Sequence, residues 1–93
     1  MKKIDWRRND VLLQGAGFTG DEFKRFTSAM AMKLIDNRHK GNGWKTDYLK
    51  TLELRLCEEV GEYLVNREPD ELLDIANFCL MIYLRKVSEE PNQ

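Results

Sequence analysis

The chain has 93 residues, 42% of them hydrophobic and 33% charged, with a formal net charge of −1 at neutral pH. That length suits one domain, and that apolar share excludes wholesale disorder. The balanced charge offers neither the basic excess of a nucleic-acid binder nor an acidic tail. A domain this small buries a modest share of its surface alone, so partner subunits are expected.

Residues 1–20 read as an irregular, glycine-punctuated lead-in. Met1-Lys2-Lys3 is followed by Ile4-Asp5-Trp6-Arg7-Arg8 rather than by an apolar run. No secretory signal is expected, and the default compartment is the cytoplasm. Gly15-Ala16-Gly17-Phe18-Thr19-Gly20 fits the GxGxxG dinucleotide pattern, with Val11-Leu12-Leu13 before it. That motif also needs a βαβ unit with an acid ending its second strand. Asp36 is suitably distant but lies on the end of a helical pattern, so the glycines are read as turn formers.

Three helical segments follow. The first runs from about Asp21 to Asn37, with Thr19 and Glu22 at capping-box spacing and Phe23, Phe26, Met30 and Leu34 as its apolar stripe. His39-Lys40-Gly41-Asn42-Gly43-Trp44 breaks it as a loop. The second starts near Thr46 or Asp47, both good caps, and carries Leu49, Leu52, Leu56, Val60 and Tyr63 on one face. Asn66-Arg67-Glu68-Pro69 ends it, and Pro69 suits the first position of the next helix. The third runs from about Pro69 to Lys86 and is apolar nearly all round, the mark of a helix buried on most sides. A second chain is expected to cover what the first leaves open. Its longest apolar stretch, Ile75 to Leu84, is interrupted by Asn77 and is too short to span a bilayer. Cys57 and Cys79 sit inside apolar helical patterns and read as small buried hydrophobes. Residues 21–87 thus form an all-α domain, an antiparallel helical bundle completed by oligomerisation, with 88–93 as a frayed tail.

The acidic residues carry the chemistry. The second helix holds Glu58-Glu59-x-x-Glu62 and the third Glu71-x-x-Asp74, in each case with a pair three residues apart on one face. With the hairpin turn centred between Asn66 and Arg67, Glu62 and Glu71 are equidistant from it, and so are Glu59 and Asp74. If the faces meet, four carboxylates gather, and such a cluster is costly without a cation. All-oxygen ligation suits Mg²⁺ or Mn²⁺ and does not suit Zn²⁺. The plain alternative is a solvated acidic helix face, with Asp70, Glu71 and Asp74 complementing a helix N-terminus.

These motifs, in this order, resemble the MazG-like all-α nucleoside triphosphate pyrophosphatases. Asp74-Ile75-Ala76-Asn77-Phe78, followed by Met81-Ile82, looks like that family's second motif helix. Met30-Ala31-Met32-Lys33-Leu34 followed by His39-Lys40-Gly41-Asn42-Gly43-Trp44 resembles short, often phage-encoded members with an HKGGW-like loop. The likeness covers about residues 22–86. The spacer between the motifs, Tyr63 to Asp70, is shorter than usual in that family, and Asn42 is inserted in the glycine loop.

The resemblance implies magnesium-dependent hydrolysis of a nucleoside triphosphate to monophosphate and pyrophosphate. Glu59, Glu62, Glu71 and Asp74 would hold the metal, Glu58 would support those ligands or serve as the base, and Glu58 and Glu59 are the expected catalytic pair. Lys33, Arg38, Lys40, Lys45 and Arg55 are available to phosphate or are ordinary solvated charges. Trp44 stacks on a base or anchors the loop; His39 contacts phosphate or is structural; Asn77 contacts the nucleotide or makes an interhelical hydrogen bond. Expected partners are the nucleotide and further copies of the chain, as dimer or tetramer, with no nucleic acid and no membrane. The rival is a non-catalytic nucleotide- or protein-binding module of the same fold.

Overall fold

A computed structural model of the chain describes residues 6–89. These fold as four α-helices in chain order, with no strand among the described residues: α1 Trp6–Gly15, α2 Gly20–Asp36, α3 Leu49–Asn66 and α4 Pro69–Glu89. Two short 3-10 turns, Arg38–Lys40 and Gly43–Lys45, lie between α2 and α3. No helix of the described residues is long and apolar enough to cross a membrane.

Helix α1 corrects the irregular lead-in expected for residues 1–20. It has no acid in its first turn and no base in its last, so the charges that usually mark helix ends are missing from those turns. Its stop is a glycine. Phe18 N–H donates to the Leu13 carbonyl and Gly17 N–H to that of Gln14, both at 2.9 Å. Gly17 holds φ at 86°, so this is a Schellman closure. The GxGxxG string is therefore a helix end followed by a helix start.

That start is built as its spacing predicts. Glu22 N–H donates to Thr19 Oγ1 at 3.1 Å, and Thr19 N–H donates to Glu22 Oε1 at 2.8 Å, a complete capping box. Phe18 and Phe23, on either side of it, meet edge to face with centroids 5.7 Å apart. They staple the entering chain to the first turn of α2.

Helix α3 begins later than Thr46 or Asp47, with Tyr48 at the cap position and no side-chain cap bond. The preceding residues are used otherwise: Thr46 and Asp47 both donate backbone N–H to the Gly43 carbonyl and finish the second 3-10 turn. Arg67, left-handed at φ 57°, ends α3, and Pro69 opens α4. The connection is thus Arg67-Glu68, one residue later than the turn centre assumed from spacing. Such a slip moves the two acidic motifs out of level by a few ångströms along the hairpin.

Helices α3 and α4 fold back on each other and make most of the tertiary contact, and α2 lies across α4. Helix α4 continues past Lys86 to Glu89, so the expected frayed tail is helical at its start, and residues 90–93 lie outside the described residues. The interior is sparse. Among the described residues Leu52, 1% exposed, is the one fully buried apolar side chain. Leu72, Leu80, Tyr83 and Leu84 on α4 remain exposed, as do Cys57 and Cys79. The expectation of an enclosed third helix and two buried cysteines is therefore not met within one chain. Three stacked helices leave the far sides of α3 and α4 uncovered. The accessible surface is 7669 Å², against roughly 5,600 Å² for a compact monomer of this mass. The radius of gyration is 15.3 Å, against roughly 12 Å for a compact domain of this length.

Candidate active site

The α2–α3 connection, α3 and α4 enclose a cleft of about 930 Å³. Three kinds of surface line it. Glu58, Glu59 and Asp74 supply carboxylates; Lys33, Arg38, Lys40 and Arg55 supply cations; Trp44, Phe78, Leu52 and Met81 supply apolar wall. Of the residues singled out from sequence, Lys33, Lys40, Trp44, Asn77, Glu58, Glu59 and Asp74 are brought to this one cleft. His39, exposed in the first 3-10 turn, is not among the lining residues, and neither are Glu62 and Glu71.

The carboxylates share an electrostatic field. Partial burial raises the Glu59 carboxyl above its ordinary range. The charges of Glu62 and Asp74, a hydrogen bond with Glu62 and the charge of Glu71 push it the same way. A bond between two carboxyl groups needs a proton on one of them. Glu71 leans toward the hairpin turn, where its Oε2 accepts from Asn66 Nδ2 at 3.4 Å, while its Oε1 is buried with no hydrogen-bond partner.

Lys33 supplies the local countercharge. Its ammonium reaches from α2 to Asp70 and Asp74 on α4, 3.5 Å from each. Burial alone would lower its pKa, but the charges and hydrogen bonds of Asp74 and Asp70 outweigh that and hold it above its ordinary value. From sequence Asp70 was given only a place at the helix N-terminus, although its four-residue spacing from Asp74 on one helix face was the signal for a shared countercharge.

Among the described residues, no group of three or more His, Cys, Asp or Glu side chains stands close enough to hold a metal ion. The joint ligand set expected from Glu59, Glu62, Glu71 and Asp74 is thus not preassembled. Asp74 is drawn to Lys33, and Glu71 accepts from Asn66 at the hairpin turn, so two of the four carboxylates are engaged locally rather than in a shared group. The donor chemistry still fits a hard divalent cation. All the donors are oxygens, Glu59 feels the other three carboxylates, and Glu71 Oε1 is a buried acceptor with no donor.

The opposite wall is held from α4. Asn77, 3% exposed, donates through Nδ2 to the Met30 carbonyl at 3.2 Å, the interhelical bond weighed for it from sequence, and its Oδ1 is left without a partner. Arg85 Nη1 donates to the carbonyls of Trp44 and Asp47 at 2.8 and 2.7 Å. Trp44 is half-buried, and the Lys45 ammonium lies over its ring, 5.8 Å from the centroid. The Arg55 guanidinium stands likewise over Phe78. Arg85 and Phe78 were not singled out from sequence. A lone charge inside the apolar run of α4 was the signal for Arg85, since such a group needs acceptors. Comparison with family models, curated proteins and solved structures returns no match for this chain.

Proposed function

We propose that this cleft binds a nucleoside triphosphate and hydrolyses it, with magnesium or manganese, to monophosphate and pyrophosphate. The observation that carries the reading is the union, in one cleft, of Glu58 and Glu59 of α3 and Asp74 of α4 with the basic, Trp44-bearing loop. The cleft volume lies in the range that small-molecule sites use. Lys40, Arg38 and Arg55 offer charge to the phosphates, and Trp44 and Phe78 offer faces to a base. Glu59, Glu62, Glu71 and Asp74 would hold the cation, which when bound supplies charge neutralisation and a more acidic water. Water adds at the α-phosphorus, the bond between the α-phosphorus and the oxygen that bridges it to the β-phosphorus breaks, and pyrophosphate leaves with that oxygen. The proton lost by the water passes to a carboxylate, for which Glu58 and Glu59 are placed in the cleft. In this reading the helices complete a bundle with further copies of the chain, which cover the exposed apolar sides of α3 and α4.

One observation favours a non-catalytic nucleotide-binding module instead: the four acids do not converge into a ready ligand group. A panel of ribo- and deoxynucleoside triphosphates with magnesium, read by pyrophosphate release, separates the two. The parent chain is expected to release pyrophosphate, and Glu62→Gln and Asp74→Asn to release none while remaining folded. Nucleotide binding without turnover in the parent would establish the module and end the enzyme reading.

A further inference from the structure

The wall that carries Trp44 is a short 3-10 turn, and its anchor lies outside the cleft. Arg85 is half-buried near the C-terminal end of α4 and does not line the cleft. One nitrogen of its guanidinium donates to the carbonyl of Trp44, inside the turn, and to that of Asp47, just after it. Both are short, charge-assisted bonds, stronger than neutral ones. Asp74 lies eleven residues earlier on the same helix, about three turns away. A single rigid helix therefore carries the carboxylate at one end of the cleft and the tie to the aromatic wall at the other.

We infer that Arg85 is a positioning residue: by holding the Trp44–Asp47 backbone against α4 it sets the distance between the aromatic wall and the acidic end of the cleft. It thereby governs nucleotide affinity without touching the nucleotide. This rests on reading the cleft as a nucleotide site, but its structural half does not. Local turn bonds to the Gly43 carbonyl keep the loop's shape, so loss of Arg85 releases the wall as a unit rather than unravelling it.

The test uses the full chain with Trp6→Phe, which leaves Trp44 as its single tryptophan. Arg85→Met keeps most of the apolar stem and removes the donors, and Arg85→Lys keeps a charged donor of shorter reach. In the nucleotide-free protein, acrylamide quenching of Trp44 should rise about twofold in Arg85→Met and less in Arg85→Lys, as expected when charge-assisted bonds are lost or weakened. With nucleoside triphosphate and magnesium, the KM of Arg85→Met should rise roughly tenfold, as loss of a hydrogen bond to a charged group implies, with kcat within about threefold of the parent. Thermal stabilisation by magnesium alone should be unchanged. Unchanged quenching, or a fall in kcat with KM unchanged, overturns the inference. If Arg85→Met does not fold, an Arg85→Lys variant with the parent's quenching and KM does the same. If the parent neither binds nor hydrolyses nucleotide, the functional reading fails, and the quenching measurement still decides whether Arg85 holds the wall.

Discussion

Glu59 sits where three other carboxylates are felt, and its raised pKa has a definite consequence for stability. The folded chain holds the Glu59 proton more tightly than the unfolded chain, whose value lies near 4.5. The associated stability is complete below that value and is lost as pH rises through the higher folded pKa. At neutral pH and without divalent metal, the ionised carboxylate therefore works against folding. Glu59→Gln should raise the metal-free melting temperature at pH 7 and lose that advantage as pH falls below about 4.5. It should also abolish the stabilisation that magnesium gives the parent. Calorimetric scans from pH 3.5 to 7.5, with EDTA and with magnesium, check both; a gain independent of pH would place the effect elsewhere. Spacing alone suggested grouping Glu59, Glu62, Glu71 and Asp74, and Glu59 does feel the charges of the other three. It did not reveal that Lys33 stands beside Asp74, because that pairing depends on the rotation of α2 against α4. Two helices thirty or more residues apart in sequence carry no record of their relative phase.

At the scale of elements, the chain states its local structure where a cap signal is met by its hydrogen bonds, as it is not at Thr46 and Asp47. Thr19 with Glu22, and Asn66 through Pro69, mark their helix ends within a residue or two because their hydrogen bonds close within a turn. Helix α1 was missed for another reason: its first turn carries no acid and its last no base, and its glycine stop falls inside a string that fits the dinucleotide pattern. The two glycines of that stop should respond differently to a methyl group. Gly17 has a positive φ, so Gly17→Ala should cost about 1 kcal/mol although nothing crowds the site. Gly15 is helical and equally open, so Gly15→Ala should be neutral or stabilising by up to about 1 kcal/mol. Urea unfolding of the two variants is the measurement. Equal losses of both stability and nucleotide binding would favour the dinucleotide reading of the segment over the turn reading. The hairpin shows the limit of arithmetic on spacing, since one residue's slip at Arg67 separates acids that counting had made level.

For the whole molecule, the sparse interior outweighs any single contact. One fully buried leucine among the described residues, and apolar side chains left open along α2, α3 and α4, leave little to offset the conformational entropy that folding costs. Composition foretold this only in outline: a short chain with an ordinary apolar share has more hydrophobic surface than it can fold away alone. Its stability should then obey mass action. Tenfold dilution should lower the melting temperature by several degrees, since for a chain of this size about 1 kcal/mol corresponds to 4–8 °C. Light scattering over the same range should show the particle dividing, and a melting temperature indifferent to dilution would mean that the open faces serve something other than a second copy. The consequence reaches beyond the test tube. If further copies cover these faces, the chain has a threshold abundance, below which newly made molecules stay loose and are cut by proteases, and above which they shelter one another. Output from such a chain climbs more steeply than its rate of synthesis near that threshold, so a modest change in expression would act as a switch.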